Sequence, residues 1–159
     1  MKTRRTAHTV YQLAYHFVWI PKYRLKILGG PLGERLKAMI QEICTAHDWA
    51  VEALEVMDDH VHLFVSCPPR DAPAEVMNTL KSLTARALFE EFPRLRQAQW
   101  GGRLWADGYY VGSSGEKVTS ELIQRYIRYQ KAEAQSPRQL SLFDLPAARK
   151  NRPQFSVPL

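Results

Sequence analysis

Apolar residues along this chain fall into blocks whose spacing switches between strand and helix periods. Leu13-Ala-Tyr-His-Phe-Val-Trp-Ile20 is almost continuously apolar and is stopped by Pro21, which predicts a central strand. Leu32, Leu36, Ile40, Ile43 and His47 then recur at helical spacing, predicting a helix from Pro31 to His47. Ala50–Met57 reads as a second strand, and His60–Cys67 pairs back on it across the turn-forming Asp58 and Asp59. Asp71 is placed to cap a second helix with an apolar stripe of Val76, Leu80, Leu83, Ala87 and Leu88, closed by Pro93. A looser Arg-, Gln- and Gly-containing stretch leads to a short strand around Trp105–Val111. Gly112-Ser-Ser-Gly115 then reads as a flexible joint. Thr119 can cap a last helix ending near Ala134, with Glu121 in its first turn favoured by the helix dipole.

The order β-α-β-β-α-β-α predicts a ferredoxin-like (RRM-like) α+β sandwich. Its antiparallel sheet carries two helices on one face, and a C-terminal helix bears Tyr126. Val61, Leu63 and Val65 turn to the helices, which leaves His60 and His62 on the open face. Residues 1–134 form the domain. Pro137, Pro146, Pro153 and Pro158 mark residues 135–159 as a mobile tail.

Charge changes the picture more than composition does. Residues 1–33 hold six bases and no acid, whereas the rest of the chain has 16 bases and 16 acids, so the whole net charge of +6 sits in the N-terminal fifth. Such a field suits a polyanion, or is simply a solvated basic face. Cys44 and Cys67 lie in apolar segments without CxxC spacing, a usage that fits a reducing cytoplasm. No apolar stretch approaches membrane-spanning length, so a cytoplasmic protein with no membrane partner is expected.

His60 and His62 lie two apart on a strand, so both imidazoles share a face and can grip one metal ion. The alternative is two imidazoles hydrogen-bonded at a sheet surface. Tyr126 and Gln130 are four apart, about 40° around a helix, and also share a face. Two imidazoles and an amide beside a tyrosine hydroxyl suit nucleophilic attack on a phosphodiester. Imidazole ligands by themselves point to Zn²⁺ or another softer metal.

Four segments, in order, carry a family resemblance: Tyr15-His-Phe-Val-Trp-Ile-Pro-Lys-Tyr-Arg24, Met57-Asp-Asp-His-Val-His62, Leu104-Trp…Gly108-Tyr-Tyr-Val-Gly112 and Tyr126-Ile-Arg-Tyr-Gln130. The chain resembles the TnpA-type single-tyrosine HUH transposases of insertion sequences that move as single-stranded DNA, a group with REP-associated relatives. The resemblance implies His60, His62 and Gln130 as ligands of Mg²⁺ or Mn²⁺, and Tyr126 as the nucleophile that forms a 5′-phosphotyrosine. It also implies a homodimer that binds DNA hairpins, with a tyrosine helix able to cross between subunits over the 112–115 joint; an ordinary surface loop is the other reading of that joint. Tyr129 is assigned to packing or DNA contact.

Lys22, Tyr23, Arg24 and Lys26 combine charge with a stacking surface, and Lys81 and Arg86 lie on the second helix. Each is either a DNA contact or solvated charge. In the tail, Gln139, Leu140, Leu142 and Phe143 resemble the peptide by which bacterial proteins dock on the replication sliding clamp, unless these apolar side chains fold back on the domain. A hairpin-binding relative without catalysis, and a hairpin-processing HUH nuclease of the REP type, are the competing functions.

Overall fold

The computed structural model describes residues 2–98 and 102–114. The chain divides between Val118 and Thr119, and the second unit lies outside the described residues. So do the predicted Tyr126 helix and the tail.

A two-stranded hairpin, β1 (Arg4–Arg5) with β2 (Val10–Tyr11), precedes the main sheet and has no counterpart in the sequence-based expectation. The main sheet contains β3 (Ala14–Trp19), β4 (Ala50–Val56), β5 (Val61–Ser66) and β6 (Tyr110–Ser114), in the order β4-β5-β3-β6 with every neighbour antiparallel. Helix α1 (Gly30–Ala46) links β3 to β4, and α2 (Pro73–Glu91) follows β5. This is the ferredoxin-like arrangement.

Phe17 and Trp19 of β3, Leu63 and Val65 of β5, Leu36 and Ile40 of α1, and Val76, Met77, Leu80 and Leu88 of α2 close one core between sheet and helices. Register then assigns the opposite face. His16 pairs with Phe64, Val18 with His62, and Glu55 with His62, so these residues turn away from the helices. A bulge between Val51 and Ala53 resets the alternation of β4, so Val51, Leu54 and Val56 all reach the core.

Three local expectations are corrected. Asp71 does not cap α2; Ala72 holds that position without a side-chain bond, and the Asp71 carboxylate accepts from Trp49 Nε1 at 2.8 Å. The inward stripe of α2 keeps Val76, Leu80 and Leu88 with Ala87 packed beside them, but Thr84 rather than the exposed Leu83 faces the core. Thr84 Oγ1 donates to Leu80 O (2.6 Å) and accepts from Trp105 Nε1 (3.0 Å), which satisfies its buried hydroxyl. Pro93 closes α2 as expected, the helix ending at Glu91 with Phe92 as its cap, and it also opens a short helix, α3 (Pro93–Ala98), as proline can at a first helical position. Finally, Gly112, Ser113 and Ser114 are not a joint: they pair in β6 with His16, Tyr15 and Ala14. Trp105, read as part of that strand, makes only an isolated bridge to Pro21.

Candidate metal and nucleic-acid site

The β4–β5 turn delivers the first ligand candidate. Met57 N–H donates to His60 O at 2.9 Å, closing a tight hairpin over Asp58 and Asp59, and Leu28 N–H donates to Asp58 O at 2.8 Å. His60 therefore stands at the mouth of β5 and His62 one alternation further along it. Their ring centroids are 4.9 Å apart with planes at 78°, and both side chains are buried.

Each ring is oriented by a neighbour. His60 Nδ1 lies 2.6 Å from Asp59 Oδ1, and Asp59 Oδ2 accepts from Arg24 Nε at 3.1 Å. Burial alone would raise the Asp59 pKa, but the bond from His60 and the charge of Arg24 outweigh it and hold Asp59 below its ordinary value. In the neutral tautomer whose Nδ1–H donates to that carboxylate, the lone pair of His60 is on Nε2. That atom is buried and has no hydrogen-bond partner among the described residues. A buried, lone-pair-bearing nitrogen fits a metal ligand, and the carboxylate behind it is the usual support of one.

His62 Nδ1 lies 3.4 Å from His16 Nε2. Burial, then the neighbouring His60 and His16, lower the His62 pKa to about 2, and burial lowers that of His16 to about 4. Both rings are thus neutral at physiological pH. The His62 tautomer that donates through Nδ1 leaves its lone pair on Nε2, again suited to a cation. Among the described residues, no group of three or more His, Cys, Asp and Glu could hold a metal ion. The third expected ligand, Gln130, lies outside them, as do Tyr126 and Gln139, Leu140, Leu142 and Phe143 of the tail motif.

Tyr110 and Gly112 of β6 continue the same face. A Cβ on Gly112 would sit 2.9 Å from the Tyr110 hydroxyl, so the missing side chain makes room for that ring beside His16.

The predicted DNA-contact residues separate. Tyr23 is 67% exposed, with the Lys22 ammonium 5.3 Å from its ring centroid, and Lys26 is exposed. Tyr23 and Arg24 both occupy the left-handed region (φ 61° and 51°), which costs roughly 1–2 kcal/mol per non-glycine residue. Backbone bonds from Arg24 N to Pro21 O and from Lys22 N to Leu104 O, both 2.8 Å, hold the turn in place. Lys81 is half-buried and donates to the carbonyls of Ala106 (2.6 Å), Asp107 (3.3 Å) and Gly108 (2.9 Å), so its charge fastens that loop. Arg86 lines an outer groove with Arg35, Met39, Ile43 and Leu83, on the helix layer away from the histidines.

Sequence reasoning missed Asp59 and His16. Asp59 reads as a turn former, although its place next to a candidate ligand is the signal for an orienting carboxylate. The solitary polar residue inside the β3 apolar run was the signal for His16.

Fold and site together define a class: a ferredoxin-like sandwich that carries paired, buried imidazoles on the sheet face opposite its helices. Residues 9–130 match the family described as transposase, IS200-like, and the chain belongs to that family. It is a transposase, a DNA-cleaving enzyme. It is 38% identical over 121 residues to the ISDra2 transposase TnpA of Deinococcus radiodurans, spanning 76% of this chain and 86% of the relative. It is 29% identical over 136 residues to the transposase for insertion sequence element IS200 of Salmonella typhimurium, spanning 86% and 88%. A crystal structure of a candidate transposase from D. radiodurans superposes with TM-score 0.66 at 36% identity, over 80% of this chain and 97% of that one. A REP-associated tyrosine transposase bound to a REP hairpin shares the fold, with TM-score 0.55 at 14% identity over 83% and 74%. No described helix is long and apolar enough to cross a membrane.

Proposed function

We propose that this transposase cleaves and rejoins single-stranded DNA at hairpin-marked element ends through a 5′-phosphotyrosine on Tyr126. The observation that carries the reading is the His60 ring, buried, held by Asp59 through Nδ1 and presenting an Nε2 with no hydrogen-bond partner among the described residues. His60, His62 and Gln130 would hold Mg²⁺ or Mn²⁺. When bound, that cation offsets charge developing on the scissile phosphate and orients it.

Tyr126 Oη attacks the phosphorus. The Oη–P bond forms, the P–O3′ bond breaks, and the departing 3′ oxygen takes up a proton as a free 3′-OH. A phosphodiester replaces a phosphodiester, so the exchange is close to energy-neutral, and a 3′-OH from another DNA end reverses it. An unperturbed tyrosine titrates near 10; Arg125 and Arg128, flanking Tyr126 in sequence, favour its phenolate. Lys22 and Lys26 supply phosphate contacts and Tyr23 a stacking face. The working form is a homodimer, and Gln139, Leu140, Leu142 and Phe143 dock on a replication sliding clamp.

The test is incubation with labelled single strands from both flanks of the gene, with Mg²⁺ or Mn²⁺, resolved on a denaturing gel. A denaturation-resistant adduct abolished by chelator is expected. Hairpin binding without any adduct in either metal would contradict the reading.

A further inference from the structure

Lys22, Arg24 and Lys26 look equivalent in the sequence, yet the structure separates them. Lys26 is exposed and the Lys22 ammonium lies toward the exposed Tyr23 ring. Arg24 instead turns inward: its side chain is 22% exposed, and its Nε donates to an Asp59 carboxylate that is itself 8% exposed. Asp59 divides its oxygens, Oδ2 for Arg24 and Oδ1 for His60 Nδ1.

Asp59 belongs to a two-residue turn, where an aspartate can equally well rotate outward to water. What holds it inward is a partner on each oxygen. The 21–28 segment is tied to the same turn a second time, by Leu28 N–H on Asp58 O. The left-handed pair Tyr23–Arg24 places the guanidinium inward while leaving Tyr23 outward, and this arrangement persists at a backbone cost that an ordinary surface arginine would not require.

We infer that Arg24 is a positioning residue of the metal centre: acting through Asp59, it fixes the ring of His60, while Lys22, Tyr23 and Lys26 of the same turn face the DNA. The inference rests on the proposed metal-dependent reading. It differs from a DNA-contact role for Arg24 in one respect: the effect of Arg24 appears with no DNA present. One turn then carries both strand recognition and support for the cation.

The experiment is Mn²⁺ titration of the full-length protein without DNA, followed by electron paramagnetic resonance, alongside hairpin-DNA affinity in chelator. Asp59→Ala should weaken Mn²⁺ binding about 10–100-fold, as loss of a supporting partner does, and Arg24→Gln roughly 3–10-fold. Arg24→Lys, which keeps the charge and the turn but lacks Nε, should fall between Arg24→Gln and wild type. In the Asp59→Ala background, Arg24→Gln should add less than about twofold, because its route to His60 is already gone. Lys22→Gln with Lys26→Gln should weaken hairpin binding and leave Mn²⁺ affinity unchanged. Wild-type Mn²⁺ affinity in both Arg24 variants, or full additivity with Asp59→Ala, would overturn the inference alone. A folded wild-type protein that binds no Mn²⁺ would overturn the metal-dependent reading and the inference with it.

Discussion

Gly33→Ala is a substitution for which helix propensity and packing predict opposite signs. Gly33 lies in the first turns of α1, where alanine would ordinarily stabilise by about 1 kcal/mol. A Cβ at this position, however, would fall well inside 3.0 Å of the Leu28 carbonyl oxygen, with the Leu28 carbonyl carbon at 3.3 Å and Val56 Cγ1 at 3.7 Å. The first obstacle is backbone, so no side-chain rotation relieves it. Overpacking of a filled site costs about 1–3 kcal/mol when side chains can yield, and the upper end applies here. Subtracting the propensity gain leaves a net loss of about 2 kcal/mol. Leu28 also donates to Asp58 O, so displacing it disturbs the turn that carries Asp59 and His60. Urea denaturation should therefore show a lower midpoint at unchanged m-value, and Mn²⁺ affinity should fall with it. Gly30→Ala is the control: its φ of 62° strains an alanine, but a Cβ there meets nothing within 4 Å, so stability drops by about 1–2 kcal/mol with the site untouched. A Gly33→Ala protein as stable as wild type, or more so, would refute the reasoning.

Two further changes test other parts of the account. Lys81→Met removes three bonds to the 106–108 carbonyls and should cost about 1.5–3 kcal/mol by thermal or urea unfolding; weaker DNA binding at unchanged stability would instead return Lys81 to the DNA surface. Burial pushes the Cys44 and Cys67 thiols up to about 12, from 9.0. The folded thiols keep protons that unfolded ones release, so their contribution is intact below pH 9 and is lost as pH rises toward 12. At pH 10 this costs about 1.4 kcal/mol per thiol, and a Cys44→Ala/Cys67→Ala protein should lose correspondingly less stability between pH 8 and 10.

The large apolar periods were legible because burial on one face imposes them: β3, α1, β4 and β5 fall within a residue or two of where their patterns place them. Signals that depend on a distant partner were not. Asp71 looks like a helix cap until Trp49 claims its carboxylate, and Gly112-Ser113-Ser114 looks like a joint until β3 supplies a strand to pair with. One position of the α2 stripe was missed for a similar reason: Thr84 takes the inward place expected of Leu83, its buried hydroxyl satisfied in part by the distant Trp105 N–H. At the site, strand alternation was enough to unite His60 with His62. Splitting Arg24 from Lys22 and Lys26 required the left-handed turn, which neither residue type announces.

The central claim is that Tyr126 becomes joined to DNA. It is tested most directly by digesting the covalent adduct formed with a cleaved single strand and mapping the nucleotide-bearing peptide by mass spectrometry. The account predicts a 5′-phosphate ester on Tyr126 alone, absent from Tyr126→Phe. Attachment at Tyr129 or another residue, or strand cleavage by Tyr126→Phe at the wild-type rate, would contradict it.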